Sequence, residues 1–179
     1  MFTYALLGLA IVVLVFVIVV SLQPAQFRVE RSAIIAAPAE VVFLQVNDLH
    51  RWEAWSPWAR RDPAMKQTYE GPPSGTGAVS AWAGNREVGE GRMTIIESRP
   101  AELVRINLEF LKPFKATSTA EFKFKLEGTQ TVVTWSMFGQ NNFLSKAFHM
   151  FMNMDKMIGG DFEKGLAGMK TVSETVARS

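Results

Sequence analysis

Residues 103–139 read LVRINLEFLKPFKATSTAEFKFKLEGTQTVVTWSMFG and contain the strongest structural signal of the chain. Apolar residues occupy every second position in three runs, namely Val104, Ile106, Leu108 and Phe110, then Ala120, Phe122, Phe124 and Leu126, then Val133, Trp135 and Met137. Because the side chains of a strand alternate between its two faces, each run predicts a strand with one buried and one wetter face. The short links between the runs favour antiparallel pairing of successive strands.

The strand pattern continues upstream of this stretch. Four further segments between turn signals predict strands, namely FRVERSAIIA at 27–36, MKQTYE at 65–70, GAVSAWAG at 77–84 and REVGEGRMTIIESRP at 86–100. After the first of them, Pro38 marks the first turn of a helix, and Asp48 caps a second short helix that ends before Pro57. The predicted sheet therefore has about seven strands.

Downstream of the strands, from Asn142, the apolar residues recur at the helical steps of three and four. One face of this segment carries Phe143, Ala147, Met150, Met154, Met157 and Ile158. The period predicts one long C-terminal helix, which Gly159 and Gly160 should break or bend. The predicted order is one strand, two short helices, six strands and one long helix, which is an α+β fold.

The N-terminal segment from Phe2 to Leu22 is apolar and carries no charged side chain. A helix of about 21 residues extends over roughly 31 Å, close to the thickness of a bilayer's hydrocarbon core. Residues 2–22 are therefore predicted to form a single-pass transmembrane helix, followed by a short linker at 23–26 and one domain at 27–176. The alternative is a cleaved signal peptide, which needs a basic start, a shorter apolar core and small residues before its cleavage site.

The charges limit the partners and the topology. Arg28 and Arg31 follow the apolar segment and no Lys or Arg precedes it, which favours a cytoplasmic domain. The net charge of +2 is too small and too dispersed to indicate a nucleic-acid partner. The chain has no Cys, and its two histidines, His50 and His149, lack the spacing of a zinc site. No metal or other cofactor is predicted.

Several segments carry a resemblance to a known superfamily. They are APAEVVFLQVNDLHRWEAWSPW at 37–58, DPAM at 62–65, GTGAV at 75–79, VGEGRMTIIES at 88–98, KPF at 112–114, TVVTWSM at 131–137 and MDKMIGGDFEKGL at 154–166. In these segments the chain resembles the START-like helix-grip superfamily (SRPBCC), in particular its polyketide cyclase/dehydrase and lipid-transport branch. The resemblance implies a curved antiparallel sheet wrapped around the long C-terminal helix, with an apolar cavity between them.

Large apolar side chains are the candidates for the lining of the implied cavity. They are Trp55, Trp58, Trp82, Phe110, Phe124, Trp135, Met150, Met154 and Met157. The alternative is structural: the tryptophans of 52–58 would seal the short helices onto the sheet, and the methionines would be ordinary core. Glu90, Arg92 and Asp155 are the polar candidates for the same cavity, against the alternative of a solvated surface.

Three functions fit these observations. The first is a membrane-anchored domain that binds a hydrophobic small molecule or lipid between the sheet and the C-terminal helix. The second is a polyketide cyclase/dehydratase-type enzyme with an acid or base that faces the cavity. The third is a structural partner whose vestigial pocket is filled by its own Trp and Met side chains. For the first function, a short tether favours local loading, sensing or presentation of a ligand over long-range transport.

Overall fold

Seven antiparallel strands form one curved sheet in the order β1-β7-β6-β5-β4-β3-β2. The computed structural model describes residues 2–151 and 153–178, without the side chains of His149 and Met154. The strands are β1 Gln26–Ile35, β2 Lys66–Glu70, β3 Val79–Ala83, β4 Glu90–Arg99, β5 Leu103–Lys112, β6 Ala116–Glu127 and β7 Gln130–Gln140. The predicted fold class, an α+β helix-grip fold with a long C-terminal helix, is confirmed.

The helices lie at the chain termini and between β1 and β2. They are α1 Phe2–Ser21, α2 Ala39–Asn47, α3 Trp52–Trp55, α4 Pro57–Arg61, α5 Phe143–Phe151 and α6 Met154–Val176. Asp48 caps the turn before α3, as predicted, because its carboxylate accepts the backbone N–H of His50 at 3.0 Å. The helix α3 ends at Trp55, before Pro57, as predicted, and Pro57 then opens a further helix, α4, where its missing N–H costs no hydrogen bond.

The C-terminal region differs from the prediction at one point. The helix is interrupted at Asn153, while α6 runs without a break through Gly159 and Gly160. Asn153 starts α6, since its side chain accepts the backbone N–H of Lys156 at 2.9 Å. Two interior glycines cost a helix about 1 kcal/mol each, which the tertiary contacts of α6 offset.

One face of the sheet, here called the inner face, packs against α2, α3 and α6. On it, the ring of Trp135 is stacked between Phe162 of α6 at 4.0 Å and Phe122 of β6 at 4.7 Å. Trp52 and Trp55 meet Trp135 edge to face, and their indole N–H groups donate to the backbone carbonyls of α2. These two tryptophans therefore seal the short helices onto the sheet. We call Trp52, Trp55, Phe122, Trp135 and Phe162 the aromatic core.

Helix α1 projects from the domain. It is long and apolar enough to cross a membrane, by length and composition, a test that a signal sequence near the N-terminus also passes. Every residue from Phe2 to Val19 is exposed, and burial begins only at Val20. The junction with the domain is tied by hydrogen bonds, because Asn141 donates its backbone N–H to Ala25 at 2.8 Å and its side chain to Pro24 at 3.1 Å. The linker is thus held against the end of β7.

Candidate functional site

The two ends of the inner face differ in how they are filled. The aromatic core fills the part under α3 and the middle of α6. The other end, here called the open end, is where β1, β4 and β6 begin and where β3, β5 and β7 finish. It is also the end that carries α1 and α5, since Asn141 bonds to Ala25. The open end is therefore the part of the inner face nearest to α1.

Large apolar side chains stand at the open end and are only half-buried. They are Phe27 of β1, Trp82 of β3, Leu108 and Phe110 of β5, and Ile158 in the second turn of α6. We call these five residues the apolar wall. Phe110 and Trp82 both pair with Gly91 of the intervening β4, so they lie on the same face of the sheet. Their rings meet edge to face at 6.1 Å.

Small side chains form the floor between the two sides of the wall. Leu108 pairs with Ser118, and Ile106 pairs with Ala120, both on the central strand β6. The side chains of Ser118 and Ala120 are shorter than those of Phe27 and Leu108, so they form a low floor between larger apolar side chains. Both floor residues are buried in this structure, with exposed fractions of 7% and 2%.

Helix α5 borders this region. It starts beside the end of β7 and reaches the turn between β5 and β6, where Phe148 contacts Phe114 with ring centres 6.0 Å apart. Helix α6 then begins at Met154. The interruption between α5 and α6 thus separates the segment that packs on the sheet from the segment that borders the open end.

The predicted apolar candidates divide into three groups. Trp82 and Phe110 belong to the apolar wall, and Trp82 also packs against the hydrophobic core. Four others pack in or against the core: Trp55 and Trp135 are in the aromatic core, Trp58 meets Trp135 at 5.8 Å, and Phe124 meets Phe43 at 5.7 Å. Of the methionines, Met150 and Met157 are exposed, and the side chain of Met154 lies outside the described residues.

The three polar candidates are ion-paired at the surface and do not point into the interior. Arg92 lies between the inward-facing Gly91 and Met93 on β4, hence on the opposite face, where it pairs with Glu70 at 3.3 Å. Glu90 accepts from Lys112 at 2.7 Å. The physical reason is solvation, because an unpaired charge against the apolar wall would lose its hydration without compensation.

Asp155 accepts from Arg31 at 3.0 Å, and this hydrogen bond holds the pKa of the Asp155 carboxyl below its usual value. A general acid that works at neutral pH needs a raised pKa. Asp155 is therefore ionised and exposed. Asp161, the other acidic residue considered in this helix, is buried and pairs with Arg61.

Three wall residues had not been singled out as site candidates. Leu108 precedes Phe110 on the same alternating face, so the strand pattern could have found it. Phe27 and Ile158 could not be found in this way, because their place depends on how β1 and α6 meet at the open end.

Two small recesses lie elsewhere on the described surface. One, of about 270 Å³, lies between Leu49 and the β2–β3 turn and includes the rings of His50 and Tyr69, stacked at 3.9 Å. Burial raises the pKa of the Tyr69 hydroxyl, which donates to the side chain of Gln67 at 2.8 Å. The other, of about 240 Å³, lies beside α4. Both volumes are below the roughly 300–1,000 Å³ typical of small-molecule sites.

Comparison with known proteins gives the family. The model of the family "Polyketide cyclase / dehydrase and lipid transport" matches residues 26–174. No curated protein matches the chain.

Several solved structures are similar in fold. The Zhui aromatase/cyclase from Streptomyces sp. R1128 is 15% identical with a TM-score of 0.60, over 83% of this chain and 94% of that one. Protein SA2116 of unknown function from Staphylococcus aureus is 14% identical with a TM-score of 0.61, over 86% and 97%. The di-domain ARO/CYC StfQ of the steffimycin pathway is 13% identical with a TM-score of 0.61, over 87% of this chain and 53% of that one.

At 13–15% identity these likenesses support the fold alone. The family match, however, extends from the first strand into the last turns of α6. The chain therefore belongs to the polyketide cyclase/dehydrase and lipid-transport family of the START-like (SRPBCC) superfamily.

Proposed function

We propose that this protein is a membrane-anchored binding domain that holds a hydrophobic small molecule or lipid at the open end of its inner face. The observation that carries the proposal is the half-buried apolar wall above the low floor of Ser118 and Ala120. A soluble domain ordinarily buries such rings, and a group of them left half-exposed on one surface favours an apolar ligand.

The chemistry of the wall favours a ligand without charge at its buried end. None of the five wall residues is ionisable, and the indole N–H of Trp82 is directed to the backbone carbonyl of Val88 at 3.4 Å. Recognition would then depend on the removal of apolar surface from water, at about 25 cal/mol for each Å² buried. A ligand that buries roughly 200 Å² would gain about 5 kcal/mol before the cost of association.

The membrane part of the proposal depends on α1. Its exposed residues from Phe2 to Val19 would be costly in water, whereas lipid solvates them and the helix satisfies its own backbone hydrogen bonds. The bonds between Asn141 and the linker support a domain that stays close to the bilayer. Under this proposal the ligand is loaded, sensed or presented locally, and the two arginines after α1 favour the cytoplasmic side.

The cyclase/dehydratase alternative has less support. It requires a titratable side chain beside the bound substrate, and Glu90, Arg92 and Asp155 are engaged in surface ion pairs. The aromatase/cyclase neighbours share the fold at low identity and carry no information about the residues of this site.

A matched pair of substitutions on β5 tests the site. Phe110 and Leu111 are neighbours whose side chains lie on opposite faces of the strand. We expect Phe110→Ala to weaken the binding of a fluorescent fatty acid to the detergent-purified protein about tenfold or more, because a buried Phe contributes about 1.5–3 kcal/mol. Leu111→Ala should leave the dissociation constant unchanged. Equal effects of the two substitutions, or no binding to the unsubstituted protein, would contradict the proposed site.

A further inference from the structure

Helix α5 carries an apolar face that no described part of the chain covers. The most exposed side chains of this face are Phe143, Leu144, Phe148 and Phe151. Leu144 is 55% exposed and Phe151 is 79% exposed. Phe114, in the β5–β6 turn, contacts Phe148 and is 63% exposed, so it extends the same surface. We call these five residues the α5 surface.

The sequence makes α5 strongly amphipathic. At 100° per residue, the positions from Met150 through Phe143 and Phe151 to Phe148 cover an arc of about 160°. Ser145 and Lys146 occupy the opposite arc. An amphipathic helix with Phe and Leu on one face and Lys on the other is typical of segments that lie in a membrane interface.

The polar side of α5 is attached to the end of α1. Lys146 donates its ammonium to the carbonyl of Ser21 at 3.1 Å, in the last turn of α1. That turn has no basic residue of its own, so Lys146 supplies the positive charge that a helix C-terminus favours. If α1 spans the bilayer, its last turn lies at the headgroups, and the hydrogen bond places α5 at the same level.

The charge around the α5 surface fits an anionic bilayer. The sequence has no Asp or Glu from Gly128 to Met154, nor from Phe110 to Ala120. The same two segments contain Lys112, Lys115 and Lys146. Lys112 is paired with Glu90, so the attraction to an anionic bilayer depends on Lys115 and Lys146. A Lys near an anionic membrane surface strengthens binding to that surface.

We propose that α5 and the β5–β6 turn lie in the headgroup region of the membrane as a second, non-spanning contact beside α1. The occupant of the α5 surface is then the lipid bilayer itself. This inference rests on the proposed anchor, since the position of α5 is set by its bond to Ser21. Because α5 borders the open end, an apolar ligand reaches the wall from the acyl region without passing through bulk water.

Site-directed spin labelling of the full chain tests this inference. The natural chain has no Cys, so single cysteines can be labelled without background. The labelled positions are Leu144→Cys and Phe151→Cys on the α5 surface, Val12→Cys in α1 and Leu126→Cys as the control. Leu126 is 60% exposed, similar to Leu144, but lies at the opposite end of β6. The protein is placed in vesicles of phosphatidylcholine and phosphatidylglycerol, and collisions of each label with oxygen and with a nickel chelate are compared.

The expected result is a label depth of about 5–10 Å below the headgroups at Leu144 and Phe151, with Val12 in the hydrocarbon core and Leu126 in water. If the labels at positions 144 and 151 are as accessible to the nickel chelate as the label at position 126, while the label at position 12 lies in the hydrocarbon core, the second membrane contact is overturned. The proposed anchor is then unaffected. A label at 12 in water would overturn both. If the label at position 144 is shielded from both reagents and labels on two chains show magnetic coupling, the α5 surface contacts a second copy of the chain. That result would overturn the assignment to lipid.

Discussion

Glu121 is a carboxylate on the outer face of the sheet, and two positively charged groups, Arg105 and Lys123, contact it. Burial alone would raise its pKa, but hydrogen bonds from Arg105 and Lys123 outweigh burial and lower the pKa below its usual value. Arg105 donates to Glu121 at 2.7 Å, and the ammonium of Lys123 lies 3.0 Å from its other oxygen. Arg105 also pairs with Glu97, so β4, β5 and β6 are linked through one guanidinium.

We expect Glu121→Gln to lower the free energy of unfolding at neutral pH by about 1.5–3 kcal/mol, the range for hydrogen bonds to charged groups. A lowered native pKa stabilises the fold above the unfolded pKa, about 4.3, and this stabilisation is lost as the pH falls through the native value. The difference between the two proteins should therefore shrink below about pH 4, which denaturant titrations followed by Trp fluorescence can measure.

Glu127→Gln is the control for this substitution, because Glu127 pairs with Lys125 at an exposed strand end. An exposed pair contributes about 0–1 kcal/mol, so the control should differ little from the unsubstituted protein at any pH. A Glu121→Gln effect that is the same at neutral and acidic pH would show that packing, and not charge, is responsible.

The direction of single side chains was partly accessible from the sequence. Arg92 stands between Gly91 and Met93, and alternation alone places it opposite the inward-facing Met93. Alternation cannot separate Phe110 from Trp135, because both face inward. Which of them is enclosed depends on where α6 crosses the sheet, and Phe162 of α6 covers Trp135.

Helix α6 lies close to the sheet because small residues face it. Gly165 leaves room for the Trp135 ring, since a Cβ there would be 2.7 Å from Cζ3 of Trp135 and 3.3 Å from Pro57. Gly159 lies under the guanidinium of Arg31, which pairs with Asp155 and Glu163 on either side of it. Gly160, by contrast, has no neighbouring atom within 4 Å of the position that a Cβ would occupy.

Two glycine substitutions in α6 should have opposite effects on stability. Gly165→Ala is expected to destabilise the domain by about 1–3 kcal/mol, because overpacking against Trp135 outweighs the gain in helix propensity. Gly160→Ala should stabilise it by about 0.5–1 kcal/mol, since it restricts the unfolded chain and meets no neighbour. Thermal unfolding followed by circular dichroism compares them, and a stabilised Gly165→Ala protein would contradict the close packing of α6.

The elements could be predicted from the sequence to different degrees. The strands of residues 103–139 were clear, because alternation, turn signals and short links agree. The position of the break in the C-terminal helix could not be predicted, because Gly159 and Gly160 are strong local helix breakers and Asn153 is a weaker local signal. Gly159 and Gly165 allow close contacts between α6 and the sheet. Such contacts between distant parts of the chain cannot be predicted from a local sequence pattern.

In the whole molecule, the features on which the proposed function depends lie at one end. The apolar wall, α5 and the junction with α1 all lie where β7 finishes. The opposite end is closed by α2, whose residues pack with the aromatic core. The third interpretation of the sequence, a pocket filled by the protein's own side chains, describes the aromatic core. Four wall residues also pack against the hydrophobic core but stay half-exposed, namely Phe27, Trp82, Leu108 and Ile158.

Native mass spectrometry of the full chain, released from lipid nanodiscs, measures bound ligand directly. Ser118→Leu raises the floor of the site, and Thr119→Leu adds the same side chain on the opposite face of β6. We predict one apolar small molecule or lipid per chain for the unsubstituted protein and for Thr119→Leu, and its loss from Ser118→Leu. Ligand binding at the open end would be contradicted if none of the three proteins carried a bound ligand. It would also be contradicted if Ser118→Leu and Thr119→Leu retained the ligand equally.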